Sequence, residues 1–370
     1  MKHDKETLKR IAGRFQIDGE FVDAEPYGTG HINDTYKCKW QDRAGTRPFI
    51  LQRINNNVFK NPPQLMENIS RVTGYLGEQL ARTPGSEPDR ETLTLIPTRA
   101  GEKFHLDEQG NFWRTYVFIR GARTFDTCTS PDQAYEGAKM FGKFQRMLDG
   151  LPGPRLHDTI PFFHHTPRRF KDLEKAIEKD AHNRAASARA EIKFAVRHKP
   201  LSTLVVDLLA AGRMPERITH NDTKVNNVMI DDATGRGICV IDLDTVMAGC
   251  ALFDFGDMVR TMPRLAAEDE RDLGKVSCDP VFFEAMARGY LESARQFLLP
   301  VELEHLVDAG RLITFTIGIR FLADYLAGDV YFKTHRPGHN LDRARVQFKF
   351  MESLEQQEDK LEAIILKHSH

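Results

Sequence analysis

The apolar pattern of this chain is mainly that of strands before residue 120 and mainly helical after it, and that change limits the fold more than any other feature. Before it, Phe21 to Tyr27, Thr35 to Trp40 and Pro48 to Ile54 are rich in aromatic and branched residues, the composition of strands. Gly28-Thr29-Gly30 separates the first pair, and Asp42-Arg43-Ala44-Gly45 is a turn between the second and third. Pro62-Pro63 opens a stretch in which Leu65, Ile69, Val72 and Leu76 share one helical face. Two more strands are expected at Thr92 to Pro97 and Trp113 to Ile119. Three strands, a helix and two strands is the order of a five-stranded antiparallel sheet carrying one helix.

Past Gly121 and the polar run Thr124 to Asp132 the spacing is helical. Ala134, Ala138, Phe141, Gln145 and Leu148 keep it, as do Phe170, Leu173 and Ile177, then Leu201, Leu204 and Leu208, and a long stretch from Val301 to Tyr325. One segment, Ile218 to Asp244, interrupts the helices. There Val228-Met229-Ile230 and Ile238-Cys239-Val240-Ile241 flank the turn Asp231-Asp232-Ala233-Thr234-Gly235, a hairpin signature. The expected class is α+β and bilobal. A small antiparallel N-terminal lobe covers residues 1–120, a hinge lies near Val117 to Gly121, and a large helical lobe over residues 121–370 carries one inserted hairpin.

Composition removes several classes of function. Lys and Arg number 52 against 53 Asp and Glu, so no global field favours nucleic acid or an acidic membrane. Cys38, Cys128, Cys239, Cys250 and Cys278 are odd in number and lack zinc-site spacing, which fits reduced thiols in the cytoplasm. The charged start MKHDKETLKR has no apolar core for export, and no run is long enough to span a bilayer.

The densest chemistry lies in His220-Asn221-Asp222-Thr223-Lys224-Val225-Asn226-Asn227, followed after the hairpin by Val240-Ile241-Asp242-Leu243-Asp244. The first segment contains H-x-D-x-x-x-x-N. Phosphoryl transfer needs a carboxylate to orient and deprotonate the attacking hydroxyl, and oxygen ligands to hold magnesium against the phosphates. An Asp before a hairpin and an Asp just after it can meet, because a hairpin returns to its origin. Read alone, Asp222 and Asn227 are turn residues and Asp242 ends an edge strand. The full set with the hairpin between its halves favours chemistry.

HNDTKVNNVMID, then VIDLDT and LFDFGDMVRT, resemble the aminoglycoside phosphotransferase and choline kinase group, and within it the N-acetylhexosamine 1-kinases. YGTGHINDTY, FILQRIN, FGKFQRMLDGLPGPRLHDTIPFFHHTPRRF and IGIRFLADYLAGDVYFKTHRPGHNLDRARVQF carry the likeness across most of the chain. The resemblance implies a protein-kinase-like fold using ATP and magnesium. It makes Asp222 the catalytic base and Asn227 and Asp242 the metal ligands, and it puts Arg320 and Tyr331 at the sugar site.

Gly28-Thr29-Gly30-His31-Ile32-Asn33 stands where a kinase carries its glycine-rich loop, with Asn33 in place of the third glycine. Gly28 and Gly30 are expected at the nucleotide; His31 and Asn33 face either sugar or nucleotide. A kinase also carries a phosphate-binding Lys on its third strand, paired with a helix Glu. Here Gln52 occupies that position in Phe49-Ile50-Leu51-Gln52, Arg53 points to the opposite face, and Glu67 is the candidate helix partner. Either Gln52 acts by hydrogen bonds alone or a bulge lets Arg53 serve. Backbone near Phe118 and Arg120 is expected to meet the adenine edge.

Other segments are set aside. Gly137 to Phe144 nearly spells a P-loop, but Phe144 replaces the magnesium-binding Ser or Thr and the run is helical. His164-His165 lacks a partner at ligand spacing. Asp254 and Asp257 are expected to stabilise a loop and helix start, and Arg168 to Lys171 to form a solvated helix face.

Three functions remain. The first is phosphorylation of the anomeric hydroxyl of N-acetylglucosamine or N-acetylgalactosamine. The second is a kinase for a cationic acceptor, an amino alcohol or aminoglycoside. The third is a catalytically silent nucleotide- or sugar-binding module. Arg311 to Phe350 holds seven Lys or Arg against three Asp, which disfavours a polycationic ligand if that stretch lines the site.

Overall fold

The computed structural model describes residues 3–28 and 32–370. The chain packs as two compact units. One comprises Met1–Asp126, Gly150–Pro161 and Val228–Met247, and the other Thr127–Asp149, Phe162–Asn227 and Ala248–His370.

The first unit begins with α1 (Lys5–Ala12), a helix not anticipated from the charged N-terminus. Asp4 caps it by accepting from the Thr7 N–H at 2.8 Å, and Leu8, Ile11 and Ala12 turn inward. Next come β1 (Glu20–Pro26), β2 (Asp34–Asp42), β3 (Gly45–Ile54), α2 (Pro62–Ala81), α3 (Pro88–Glu91), β4 (Leu95–Ile96), β5 (His105–Leu106), β6 (Phe112–Val117) and β7 (Ala122–Arg123). The sheet has six strands, not five. Its order is β1-β2-β3-β6-β4, with the short β5 added to β6. The strand expected from Thr92 to Pro97 shrinks to two residues, Leu95 and Ile96, which pair with Tyr116 and Thr115 of β6. Phe15, Ile17, Tyr36, Trp40, Leu51 and Trp113 build the core on which α1 rests.

The second unit is helical: α4 (Pro131–Leu148), α5 (Thr166–Lys179), α6 (Arg189–Arg197) and α7 (Leu204–Ala210) lead to the short strand β8 (Arg217–Thr219). The hairpin β9 (Val228–Asp231) and β10 (Gly237–Val240) follows, antiparallel as its sequence requires. A single division at residue 120 puts this hairpin with the helices, whereas it packs within the first unit. The reason is pairing: β7 aligns Ala122 with Asp231 and Arg123 with Ile230, and Arg90 meets Asp231 at 2.6 Å.

The remaining helices are α8 (Ala251–Thr261), α9 (Pro280–Ala294), α10 (Pro300–Glu304), α11 (Leu306–Leu326), α12 (His339–Gln356) and α13 (Glu358–His368). The long helix expected from Val301 is broken at His305 into α10 and α11. Helix α11 is apolar on nearly every face, so it is buried among α5, α8 and α12. Gly256 lets α8 approach α11 closely: a Cβ there would lie 2.3 Å from the Ala309 carbonyl and 2.6 Å from Ile313 Cγ1. All five cysteines are buried and outside any disulfide, and among the described residues no helix is long and apolar enough to cross a membrane.

Gly256→Ala is expected to lower unfolding stability by about 2–3 kcal/mol, since neither backbone nor Ile313 can yield without strain. Gly74→Ala, in mid-helix with open space around the new Cβ, should raise it by about 0.5–1 kcal/mol. Urea unfolding of the two variants checks both signs.

Candidate active site

Strand β8 delivers the chain into His220-Asn221-Asp222, and helix α8 holds that segment with two buried carboxylates. Asp254 accepts from the backbone N–H groups of His220 (2.9 Å) and Asn221 (2.7 Å) and from Gln145 Nε2 (2.6 Å). Asp257 accepts from the Thr223 N–H at 2.9 Å and pairs with Arg260 at 2.8 Å. Asn221 takes a left-handed φ of +66°, which a short amide tolerates by bonding locally, here to the Thr219 carbonyl at 3.1 Å. His164 Nε2 lies 2.8 Å from the Asn221 carbonyl, so that nitrogen carries the proton. Burial pushes His164 down to about 4 and keeps its ring neutral.

Asp222 projects from this braced loop. Its Oδ1 lies 2.7 Å from Lys224 Nζ, and its Oδ2 accepts from Asn227 Nδ2 at 3.1 Å. Burial raises its pKa, but Lys224, His220 and Arg260 together outweigh burial and hold the carboxyl below its ordinary value. Asp222 is therefore a carboxylate, able to accept a hydroxyl proton. The Asn227 nitrogen also donates to the Asp222 carbonyl at 2.8 Å, so its amide oxygen is the group it can offer a cation.

A second cluster touches this loop through His164. The Phe163 and His164 rings adjoin at 4.5 Å, and the Arg320 guanidinium stands 5.3 Å from Phe163, 5.8 Å from Tyr331 and 5.4 Å from Phe332. No carboxylate among the described residues pairs with Arg320. Asp324, the neighbour one helical turn away, is spent elsewhere. It accepts from the backbone N–H groups of Val330 (3.0 Å), Tyr331 (2.8 Å) and Phe332 (2.9 Å) and from Asn340 at 2.9 Å. Burial first, then the nearby Arg169, pushes Arg320 down to about 10. Arg169 departs from the solvated face expected of Arg168 to Lys171. Its guanidinium is folded back to the Phe163 carbonyl at 3.3 Å and reaches Asp172 only at 3.9 Å.

In the first unit, Asp242 has a left-handed φ of +58° and an exposed side chain, while Asp244 two residues on is buried. Asp244 pairs with Arg114 at 2.5 Å and accepts from Asn33 Nδ2 at 2.6 Å. The Asn33 oxygen takes the Asn55 N–H at 3.0 Å. Gln52 bonds Thr35 Oγ1 at 2.9 Å and receives Arg114 Nε at 3.0 Å. No bulge turns Arg53 to that side: it is held by Asp34 at 2.6 Å. Glu67 lies 2.9 Å from His157, so it is no partner for the third strand. Gly28 has φ +79°, open to glycine alone at little cost, whereas Gly30 and His31 lie outside the described residues. The Phe118 ring packs on Tyr27 at 5.6 Å, and Arg120 is exposed with one nitrogen 3.2 Å from the Thr46 carbonyl.

Asn227 and Asp242 belong to different units. Each carries an oxygen donor, an amide in one case and a carboxylate in the other, of the hard kind magnesium accepts. Among the described residues no group of three or more His, Cys, Asp or Glu forms a richer metal site. The P-loop lookalike is part of α4, with Lys139 bound to Glu292 at 2.7 Å. Sequence reasoning passed over Lys224, Phe163 and Arg114, and read Arg169 as part of a solvated face. Arg114 alone carried a signal, a charged residue in the middle of an apolar strand.

His164 gives the loop a pH dependence with a definite sign. Its folded pKa of about 4 lies below the ordinary 6.5, so its share of stability is full above pH 6.5 and lost as pH falls toward 4. That share is on the order of 3 kcal/mol. Urea unfolding across this window should show a shallower fall for His164→Gln than for the parent; parallel curves would contradict the neutral buried ring.

Solved structures share the architecture. An aminopropanol kinase associated with a microcompartment superposes with a TM-score of 0.63 at 14% identity, covering 96% of this chain and 98% of its own. Choline kinase from Cryptosporidium parvum Iowa II gives 0.59 at 15%, covering 98% and 97%. An aminoglycoside phosphotransferase from Alicyclobacillus acidocaldarius gives 0.58 at 12%, covering 97% and 98%. At these identities the likeness is one of fold, a kinase-like α+β architecture. The family model described as the phosphotransferase enzyme family (APH) matches residues 23–296, and the chain belongs to that family.

Proposed function

We propose that this phosphotransferase moves the γ-phosphoryl group of ATP to the anomeric hydroxyl of an N-acetylhexosamine, N-acetylglucosamine or N-acetylgalactosamine. The observation that carries the choice of acceptor is the Arg320 cluster. Two desolvated guanidiniums, Arg320 and Arg169, stand beside the Asp222 loop, and among the described residues no carboxylate pairs with Arg320. A choline or aminoglycoside cation placed there meets like charge, which costs affinity. A neutral sugar instead offers hydroxyls and an acetamido carbonyl, acceptors for Arg320 and partners for the Tyr331 hydroxyl.

In this reading the first unit serves the nucleotide, through Gly28, Gly30, Gln52 and the backbone near Phe118 and Arg120. The second serves the sugar, through Arg320 and Tyr331. His31 and Asn33 were candidates for the sugar; Asn33 has both polar ends engaged by protein, leaving His31 as the candidate. Asp222 accepts the proton of the 1-hydroxyl as the new O–P bond forms and the bond to the departing ADP oxygen breaks. Lys224 keeps that carboxylate ionised beforehand. Asn227 and Asp242 would each offer an oxygen to magnesium, which when bound would neutralise charge on the phosphate oxygens. The buried thiols suit the reducing cytoplasm.

Asp222→Asn should lower kcat by ~10²–10⁴-fold, the usual general-base share, while calorimetry shows sugar binding nearly unchanged. Near-normal turnover at saturating substrate refutes the assignment.

Arg320→Ala should raise the sugar KM by ~10–100-fold, the worth of a hydrogen bond to a charged group, and leave the ATP KM alone. Tyr331→Phe should move the sugar KM in the same direction by less. Phosphorus NMR of the product checks the regiochemistry. Phosphate coupled to the anomeric proton supports a 1-kinase, while phosphate on the 6-hydroxyl, or turnover only with an amino alcohol, excludes it.

A further inference from the structure

The ion pair that a kinase places behind its phosphates, a third-strand Lys with a helix Glu, is missing here on both sides. Strand β3 has neutral Gln52 at the lysine position. The next residue, Arg53, is tied to Asp34 at 2.6 Å, and Glu67 of α2 is tied to His157 at 2.9 Å. A cation is nevertheless present at that spot. The antiparallel register of β3 with β6 sets Arg114 directly opposite Gln52, so the two side chains share a face of the sheet.

Arg114 is used as a fork. Nε donates to Gln52 Oε1 at 3.0 Å and a terminal nitrogen meets Asp244 Oδ1 at 2.5 Å, with the Tyr116 ring 5.3 Å from the guanidinium. The pair is closed to water, with side-chain exposures of 2% for Arg114 and 3% for Asp244. The second Asp244 oxygen accepts from Asn33, whose own oxygen takes the Asn55 N–H. One chain of bonds thus runs from Thr35 through Gln52, Arg114 and Asp244 to Asn33 and Asn55. It ties the start of β2 and the end of β3 to the turn that bears Asp242.

The geometry points to Arg114 as a positioning residue that replaces the missing lysine–glutamate pair by clamping Asp244, and with it the Asp242-Leu243-Asp244 turn, against Gln52. It acts through Asp244 and not on phosphate, because a guanidinium 2% exposed with two edges engaged has no open side for a ligand. The carboxylate of the usual pair has moved from the helix to the metal-bearing turn, and the cation from β3 to its neighbour. The inference rests on Asp242 serving the metal.

The test is steady-state kinetics at varied magnesium–ATP and varied acceptor, with thermal unfolding of each variant. Arg114→Lys keeps the charge but not the planar fork that spans Gln52 and Asp244. It should raise the magnesium–ATP KM about 10-fold, with the acceptor KM unchanged. Arg114→Gln should do so more strongly. The double variant Gln52→Lys with Arg114→Gln returns a cation to the third strand beside Asp244 and should recover most of the loss. A merely structural role lowers the melting temperature of Arg114→Lys and leaves its magnesium–ATP KM at the parent value, which overturns the inference whether or not Arg114→Gln folds. Asp242→Ala separates the two readings. If it loses magnesium dependence while Arg114→Lys does not, only the positioning role fails; if Asp242→Ala is itself unaffected, the metal assignment fails.

Discussion

Asp254 is carried on α8 with no access to solvent, and its two oxygens take consecutive backbone N–H groups from His220 and Asn221 together with the amide of Gln145. Tyr290 in turn donates to the Gln145 oxygen at 2.6 Å, which fixes the amide's orientation. Burial lifts the Asp254 carboxyl to about 6, so even with these donors the charge is held at a cost. What the arrangement supplies is geometry. Two adjacent N–H groups can point at one carboxylate only if the chain turns sharply there, and the left-handed φ of Asn221 is that turn. The direction of Asp222 follows from it.

The same device recurs twice. Asp324, 5% exposed, gathers three consecutive N–H groups of the segment Val330–Phe332 and so sets the backbone that presents Tyr331 beside Arg320. Asp244 does the equivalent with side chains, taking Arg114 and Asn33. In each case one buried carboxylate organises the segment it binds and so orients a neighbouring residue of that segment. Such loops gain a single conformation, because a displaced donor would leave a buried charge unsatisfied.

Shape alone does not choose an acceptor in this fold. The backbone path is shared with kinases named for aminopropanol, choline and aminoglycosides. Beside the Asp222 loop, however, stand Arg320 and Arg169, both desolvated. A fold of this kind leaves the choice of acceptor to side chains, and the acceptor proposed for this chain rests on the charge of these two.

Much of this was readable from the chain. Aromatic and branched composition located β1, β2, β3 and β6, helical spacing located α2, and the hairpin turn at Asp231 to Gly235 was visible because short-range turn chemistry is local. Asp222, Asn227 and Asp242 were singled out on the same kind of evidence, since their spacing is a local pattern. The charged first residues hid α1, whose apolar residues are few, and the break at His305 left the helical period intact on either side. Pairing across distance was decided only in three dimensions. That Asp231 joins β7, that Arg114 faces Gln52 and reaches Asp244, and that Asp324 binds backbone rather than Arg320 depend on register and burial. A sequence states which charges exist; which of them neutralise one another, and which are left without a partner for a ligand, is settled by packing, because a buried charge takes the nearest donors the tertiary structure brings to it.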